Sequence, residues 1–187
     1  MAFAALFDAC VLYPAPVRDL LLSLARTGLF RARWSADIEA EWIGACLRDR
    51  PELSGKLDRT RATMRLAIPD CLVTGYEGLV PHLDLPDSGD RHVLAAAIIG
   101  RADVIVTANL RDFPADVLSA YRIEAQHPDV FVRHVLDLDE ATAIEAIRHQ
   151  RGRLNKPAVS TEGFLQTLAK HRLPMTVEFL RARVARL

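Results

Sequence analysis

The chain has 187 residues, 50% of them apolar and 26% charged, which suits one α/β domain with a full core plus a modest extension. No apolar run approaches the ~20 residues that a membrane span needs. The apolar start, MAFAALFDACVLYP, has no basic segment and is interrupted by Asp8, so it reads as a buried strand and not as a secretion signal, and a cytoplasmic protein is expected. Net charge is zero, with 24 basic against 24 acidic residues, which argues against a broadly basic nucleic-acid surface. Nearly all the basic residues are arginine; the lysines are Lys56, Lys156 and Lys170. Arginine's planar fork suits phosphate oxygens, although a high-GC genome favours the same residue. Three widely spaced cysteines, Cys10, Cys46 and Cys71, make neither a disulfide framework nor a zinc motif.

Residues 3–7 (FAALF) form a short apolar run ending in Asp8, which predicts a buried strand with a carboxylate at its C-terminal end. Pro16 suits the first turn of a helix carrying Leu20, Leu21, Leu24 and Leu29, with Gly28 as its stop. Ser35 is an N-cap for a second helix with Ile38, Trp42, Cys46 and Leu47 on one stripe, ended by Pro51. Residues 52–68 predict a third, more exposed helix touching the core through Leu53, Leu57, Met64 and Leu66. Residues 70–88 read as loop with one or two short extended pieces. A helix opens at Gly89–Asp90, with Val93, Leu94, Ala97 and Ile98 facing inward. Residues 103–107 (DVIVT) make the clearest strand. A short helix near 114–120 and a strand near 122–125 complete an alternation that implies a mostly parallel sheet covered on both faces. Beyond Pro128 four helical stretches follow, near 129–136, 139–150, 160–170 and 174–186. A boundary is therefore placed there, giving an α/β domain over 1–127 and a helical extension over 128–187.

In open parallel sheets, ligands sit outside the carboxyl ends of the strands. Asp8 ends the first strand and Asp112 follows the DVIVT strand, so both should face one crevice. Glu41 and Asp90 lie near helix N-termini, where the dipole favours carboxylates. Four carboxylates in one crevice repel each other unless cations neutralise them, and hard oxygen ligands select Mg²⁺ or Mn²⁺. Each residue alone has an ordinary alternative: a helix-surface acid for Glu41, an N-cap for Asp90, a turn cap for Asp112.

The segments FDACVLYP, SADIEAEW, DRHVLAAAI and VIVTANLRDFP resemble, in order, the four motif blocks of PIN domains, over about residues 3–127. The nearest kin in pattern are VapC-type toxins, and the tail resembles the helical extension of one VapC-like subfamily. The resemblance implies a three-layer α/β/α fold and a Mg²⁺-dependent endoribonuclease that cuts RNA. It also implies control by a cognate antitoxin and a homodimer. It puts the four acids on Asp8, Glu41, Asp90 and Asp112, with Thr107 and Asn109 as supporting polar residues. Where many relatives have Asn or Ser two positions after the first acid, this chain has Cys10, a change expected to lose one hydrogen bond near the metal. Asp87 has two readings, a further member of the acidic site or loop chemistry, and the second is preferred.

Other residues are read more plainly. His92 should point away from Asp90 and serve as a surface or packing residue. His82, His127 and His134 lack metal-ligand spacing. Trp42 belongs to the core, whereas Trp34, Arg31 and Arg33 are open to an RNA contact. The tail is acidic first (Asp129, Asp137, Asp139, Glu140, Glu145) and then basic (Arg148, Arg151, Arg153, Lys156, Lys170 and four later arginines). Val177, Leu180 and Val184 form a stripe that packs on the α/β domain, an antitoxin helix or a second subunit. Competing functions are a PIN nuclease in RNA or DNA processing without an antitoxin, and a non-catalytic PIN-like binding module. A nucleotide-binding domain is disfavoured because neither glycine-rich phosphate motif occurs.

Overall fold

The computed structural model describes residues 2–155 and 157–187; Met1 and Lys156, the latter counted above with the basic tail, lie outside the described residues. Five parallel strands form one sheet in the order β3-β2-β1-β4-β5. They are β1 (Ala4–Phe7), β2 (Arg31–Ser35), β3 (Leu72–Val73), β4 (Val104–Val106) and β5 (Glu124–Gln126). β1 is central and buried at every position, as its unbroken apolar run requires. Its Ala5 aligns with Ala32 of β2 on one side and Val104 of β4 on the other. The chain leaves β1 toward β2 and later returns to β4, so the topological switch point lies between β1 and β4.

Asp8 follows β1, and two helices follow it, α1 (Ala9–Leu12) and α2 (Ala15–Ala25), the second with Pro16 in its first turn. Leu20, Leu21 and Leu24 are buried as expected. The expected helix does not extend to Leu29. The chain turns through Gly28 at φ 78° and enters β2, a strand that the sequence reading did not contain. Its exposed Arg31 and half-buried Arg33 alternate with buried Ala32 and Trp34, a period-2 pattern too short to stand out beside the leucine-rich helix. Trp34 is therefore a core residue and not an RNA platform: it is fully buried and stacks on Phe7 at 6.4 Å between centroids.

Ser35 caps α3 (Ala36–Asp49), its side chain accepting from the Ile38 amide at 3.2 Å. Glu39 on this helix is 1% exposed. It accepts hydrogen bonds from Trp34 Nε1 at 2.8 Å and from Arg65 Nε at 3.0 Å, and pairs with a second nitrogen of Arg65. Arg65 belongs to α4 (Lys56–Ala67), so this carboxylate ties three elements together. Removing one partner of such a pair strands a buried charge. Arg65→Ala is expected to cost about 2 kcal/mol, since the arginine is partly solvated. Melting should fall by about 4–8 °C for a chain of this size, measured by circular dichroism. Leu57 and Met64 bury as read, but Leu66 is 84% exposed.

The return to the switch point uses α5 (Arg91–Ile99), which packs on β1, β2 and β4. α6 (Ala115–Ser119) then leads to β5. That strand begins later than expected, because Arg122 takes φ 59°, a turn conformation that no strand position adopts.

After β5 come α7 (Pro128–Leu138), α8 (Glu140–Arg153), α9 (Thr161–Lys170) and α10 (Pro174–Arg181), the four expected helices. Phe131 of α7 drives edge-on into the sheet face, 4.9 Å from Phe30, 6.2 Å from Phe7 and 6.2 Å from Phe3 between centroids. α8 lies along α2. Buried Asp129 of α7 accepts from the amides of Met175 and Thr176, both at 2.8 Å, and so caps α10 from outside. Val177 and Leu180 of α10 bury against this chain itself, whereas Val184 stays 45% exposed. Among the described residues, no helix is long and apolar enough to cross a membrane.

Candidate metal centre

The ends of β1 and β4 place Asp8 and Thr107 side by side. Asp8 is buried, and its Oδ2 accepts from Thr107 Oγ1 at 2.7 Å. Thr107 in turn accepts from the Asn109 amide at 3.0 Å, which folds the chain after β4 back toward the crevice. Asn109 donates through its side-chain nitrogen to Asp112, fixing that carboxylate in a short 3-10 turn. Thr107 and Asn109 thus each hold one acid in place.

Cys10 corrects the sequence reading. Its thiol donates to Asp8 Oδ2 at 3.0 Å, so the hydrogen bond expected to be lost is made by sulfur. It also accepts from the Ala108 amide at 3.2 Å. Burial, and next the charge of Asp8, push the Cys10 thiol up to about 12, so it acts as a neutral donor and not as a nucleophile.

Oxygens of Asp87, Asp90 and Asp112 all lie within 4.8 Å of one another. Asp87 belongs to both readings offered for it. It accepts from the Gly89 amide at 2.7 Å as loop chemistry, and it also joins the acidic group. Its spacing from Asp90, three positions along a tight turn, is the sequence signal for this. Asp8 and Glu41 stand outside that closest triad but bear on it. Burial first, then the charges of Asp8, Asp112, Asp87 and Glu41, raise the Asp90 carboxyl to about 7. Three acids therefore cluster closely, and Asp8 and Glu41 lie near enough for their charges to act on Asp90.

The sequence reading turns the His92 side chain away from Asp90 and makes it a surface or packing residue. Its Nε2 lies 3.4 Å from Glu41 Oε2. Burial favours the neutral imidazole, but the hydrogen bond and charge of Glu41, with Asp37 and Asp8 behind it, outweigh burial and raise the His92 pKa overall. The helical offset from Asp90, on which that reading rests, takes no account of Glu41, which meets His92 from α3.

A metal fits this donor set. Every group is a carboxylate oxygen, a hard ligand matched to Mg²⁺ or Mn²⁺ and unsuited to a thiophilic ion. Beyond burial, the raised Asp90 carboxyl registers the negative charge of its acidic neighbours.

A family model described as the PIN domain matches residues 4–111, which contains β1 to β4 and every acid but Asp112. The chain belongs to the PIN-domain family. A second model, described as the VapC50 C-terminal domain, matches residues 128–182, the helices from α7 to α10. The PIN-domain chain is also 45% identical over 92 residues to the provisionally named ribonuclease VapC50 of Mycobacterium tuberculosis (strain ATCC 25618 / H37Rv). That match takes in 46% of this chain and 54% of the relative, so about half the length of the relative is spanned. No solved structure matches.

Proposed function

We propose that this PIN-domain protein is a divalent-metal-dependent endoribonuclease, the toxin of a toxin–antitoxin pair. The observation that carries the reading is the group of carboxylates around Asp90 at the switch point of the sheet. The mycobacterial relative, named for ribonuclease activity, supports it. Asp8, Glu41, Asp90 and Asp112 would hold the ion, with Asp87 beside them. A bound divalent cation supplies charge neutralisation and Lewis acidity at a phosphodiester.

The protein's own contribution is order. Thr107 and Cys10 both donate to Oδ2 of Asp8, which fixes that carboxylate's orientation. Asn109 does the same for Asp112, and His92 for Glu41. Such partners hold ligands in place before an ion arrives. The antitoxin, a homodimer and a cytoplasmic location belong to the same proposal and rest on the VapC-type likeness.

Cleavage of total cellular RNA, mapped with Mg²⁺ and with EDTA, tests the reading. Metal-dependent cuts at defined positions are expected, and an inert protein in both conditions would refute it. Mg²⁺ or Mn²⁺ should support cleavage and Ca²⁺ should do so poorly. Mg²⁺ takes a compact octahedron at about 2.0–2.1 Å, whereas Ca²⁺ wants six to eight oxygens at about 2.3–2.6 Å. Equal initial rates in Ca²⁺ would contradict it.

A further inference from the structure

On the α2 side of the molecule, away from the acidic crevice, a cleft of about 510 Å³ opens between α2, α4 and the end of α8. Four arginines line it: Arg18, Arg26, Arg59 and Arg153. Ser23, Thr60 and Thr63 add hydroxyls. Nine of the 21 arginines lie within 4.0 Å of a carboxylate, Arg18 among them. Arg26, Arg59 and Arg153 belong to the remainder, and this cleft gathers all three. The lone acid in the cleft is Asp19, whose carboxyl burial pushes up and Arg18 and Arg153 draw back. It lies 3.8 Å from Arg18. In a chain of zero net charge, four arginines against the single Asp19 in one concavity are a local excess of positive charge.

The fourth arginine shows that the cleft is built and not merely a solvated edge. Arg18 is 8% exposed. One of its terminal nitrogens donates to the Leu12 carbonyl at 2.9 Å, and its guanidinium sits 4.9 Å over the Trp42 ring. Its buried Nε makes no hydrogen bond and faces Asp19 Oδ1 at 3.8 Å, so one acid partly answers it and one donor stays free. Arg153 is also positioned, donating to Ser23 Oγ at 3.1 Å. A second concavity, bordered by Ser23, Arg26, His149 and Arg153, continues the groove along α8. Its Glu145 is already engaged by Arg148 and His149.

We propose that this cleft is a phosphate-binding site, engaging either the backbone of a polynucleotide or a free phosphate through Arg26, Arg59 and Arg153. The guanidinium fork matches the oxygens of a phosphate group. Arg26 follows the last turn of α2, and β2 begins shortly after it. The cleft therefore runs beside α2, about 16 Å long for its 11 residues, toward the end of the sheet opposite Asp8. A strand of several nucleotides spans that distance. The polynucleotide arm deepens the nuclease reading and rests on it; the free-phosphate arm does not.

The test uses the full chain in EDTA, so that binding is read without cleavage. A labelled 20-nucleotide single-stranded RNA is titrated at several salt concentrations against wild type and the variant Arg26→Ala/Arg59→Ala/Arg153→Ala. Each phosphate contact on a single strand adds about 0.7 to the slope of log affinity against log salt, so the variant should lose about 2 from that slope. In parallel, inorganic phosphate replaces chloride at equal ionic strength. It should raise the melting temperature of wild type and not of the variant. Loss of both effects assigns the site to the polynucleotide backbone, and loss of the phosphate effect alone assigns it to a free phosphate. If neither effect changes, or if a poly-glutamate of equal charge binds as well as RNA and is lost equally, the proposal is overturned. The double variant Arg26→Ala/Arg59→Ala, both residues being exposed, repeats the test should loss of Arg153 unsettle the fold. Wild type that binds RNA with the full slope but never cuts it in Mg²⁺ refutes the nuclease reading and leaves this site standing.

Discussion

Replacing Asp90 with Asn should leave the chain folded and reduce RNA cleavage by more than about 100-fold. Groups that merely orient metal ligands are worth about 10–100-fold, and Asp90 is proposed as a ligand itself. Asp8→Asn should behave alike. Thr107→Val, which removes only the donor to Asp8, should fall within the 10–100-fold range. The measurement is the initial rate on a defined RNA at saturating Mg²⁺. A variant at position 90 with wild-type rate would remove the site from consideration.

The same substitution has an opposite effect on stability. In the metal-free protein the Asp90 carboxyl is raised to about 7, first by burial and then by its acidic neighbours. An acid with a raised folded pKa favours the fold while protonated, and that contribution is lost as pH rises from its unfolded value, near 4, through 7. Asn carries no charge at any pH. Asp90→Asn should therefore match wild type near pH 4 and melt a few degrees higher above pH 7. The carboxyl is half solvated, so the gain is discounted to on the order of 1 kcal/mol. Adding Mg²⁺ should reverse the order at pH 7.5 by stabilising wild type alone. A variant that melts below wild type in EDTA at high pH would contradict the crowding of carboxylates.

These acids were legible because their chemistry is carried by short segments at fixed distances from strong strands. Asp8 ends an apolar run, and Asp112 follows DVIVT after a short link. What escaped was contact between segments. His92 meets Glu41, and no spacing within either helix encodes that pairing. The Cys10 thiol donates to Asp8, a contact that needs the crevice geometry to be seen. β2 escaped for a different reason. Two of its five residues are arginines, so its local pattern is polar, and tertiary pairing with β1 and β3 makes it a strand. The helices of the tail were read correctly because amphipathic periodicity is local, whereas the surface they cover is not.

That surface leads to the second large effect: Phe131→Ala should destabilise the protein by about 3–5 kcal/mol. Phe131 is 1% exposed and is ringed by Phe3, Phe7 and Phe30, three residues of the sheet and its margins. Truncation leaves a cavity that a sheet face cannot close, because paired strands do not shift toward it. Melting should fall by roughly 6–20 °C, and a loss under 1 kcal/mol would mean that α7 is loosely docked. The same packing bears on residues 1–127 alone. Without α7, those three rings meet water, and without α8 and α9 one side of α2 does too. An isolated 1–127 fragment should bind a hydrophobic dye and lose its near-ultraviolet dichroism while keeping helical signal, as a chain without fixed packing does. A fragment that melts cooperatively near the full-length temperature would show instead that the α/β domain is self-sufficient. If the expected result holds, any role of the helices beyond α7 in choosing RNA or a partner has to be read from surface substitutions in the intact chain. A deletion would remove part of the core along with the surface under study.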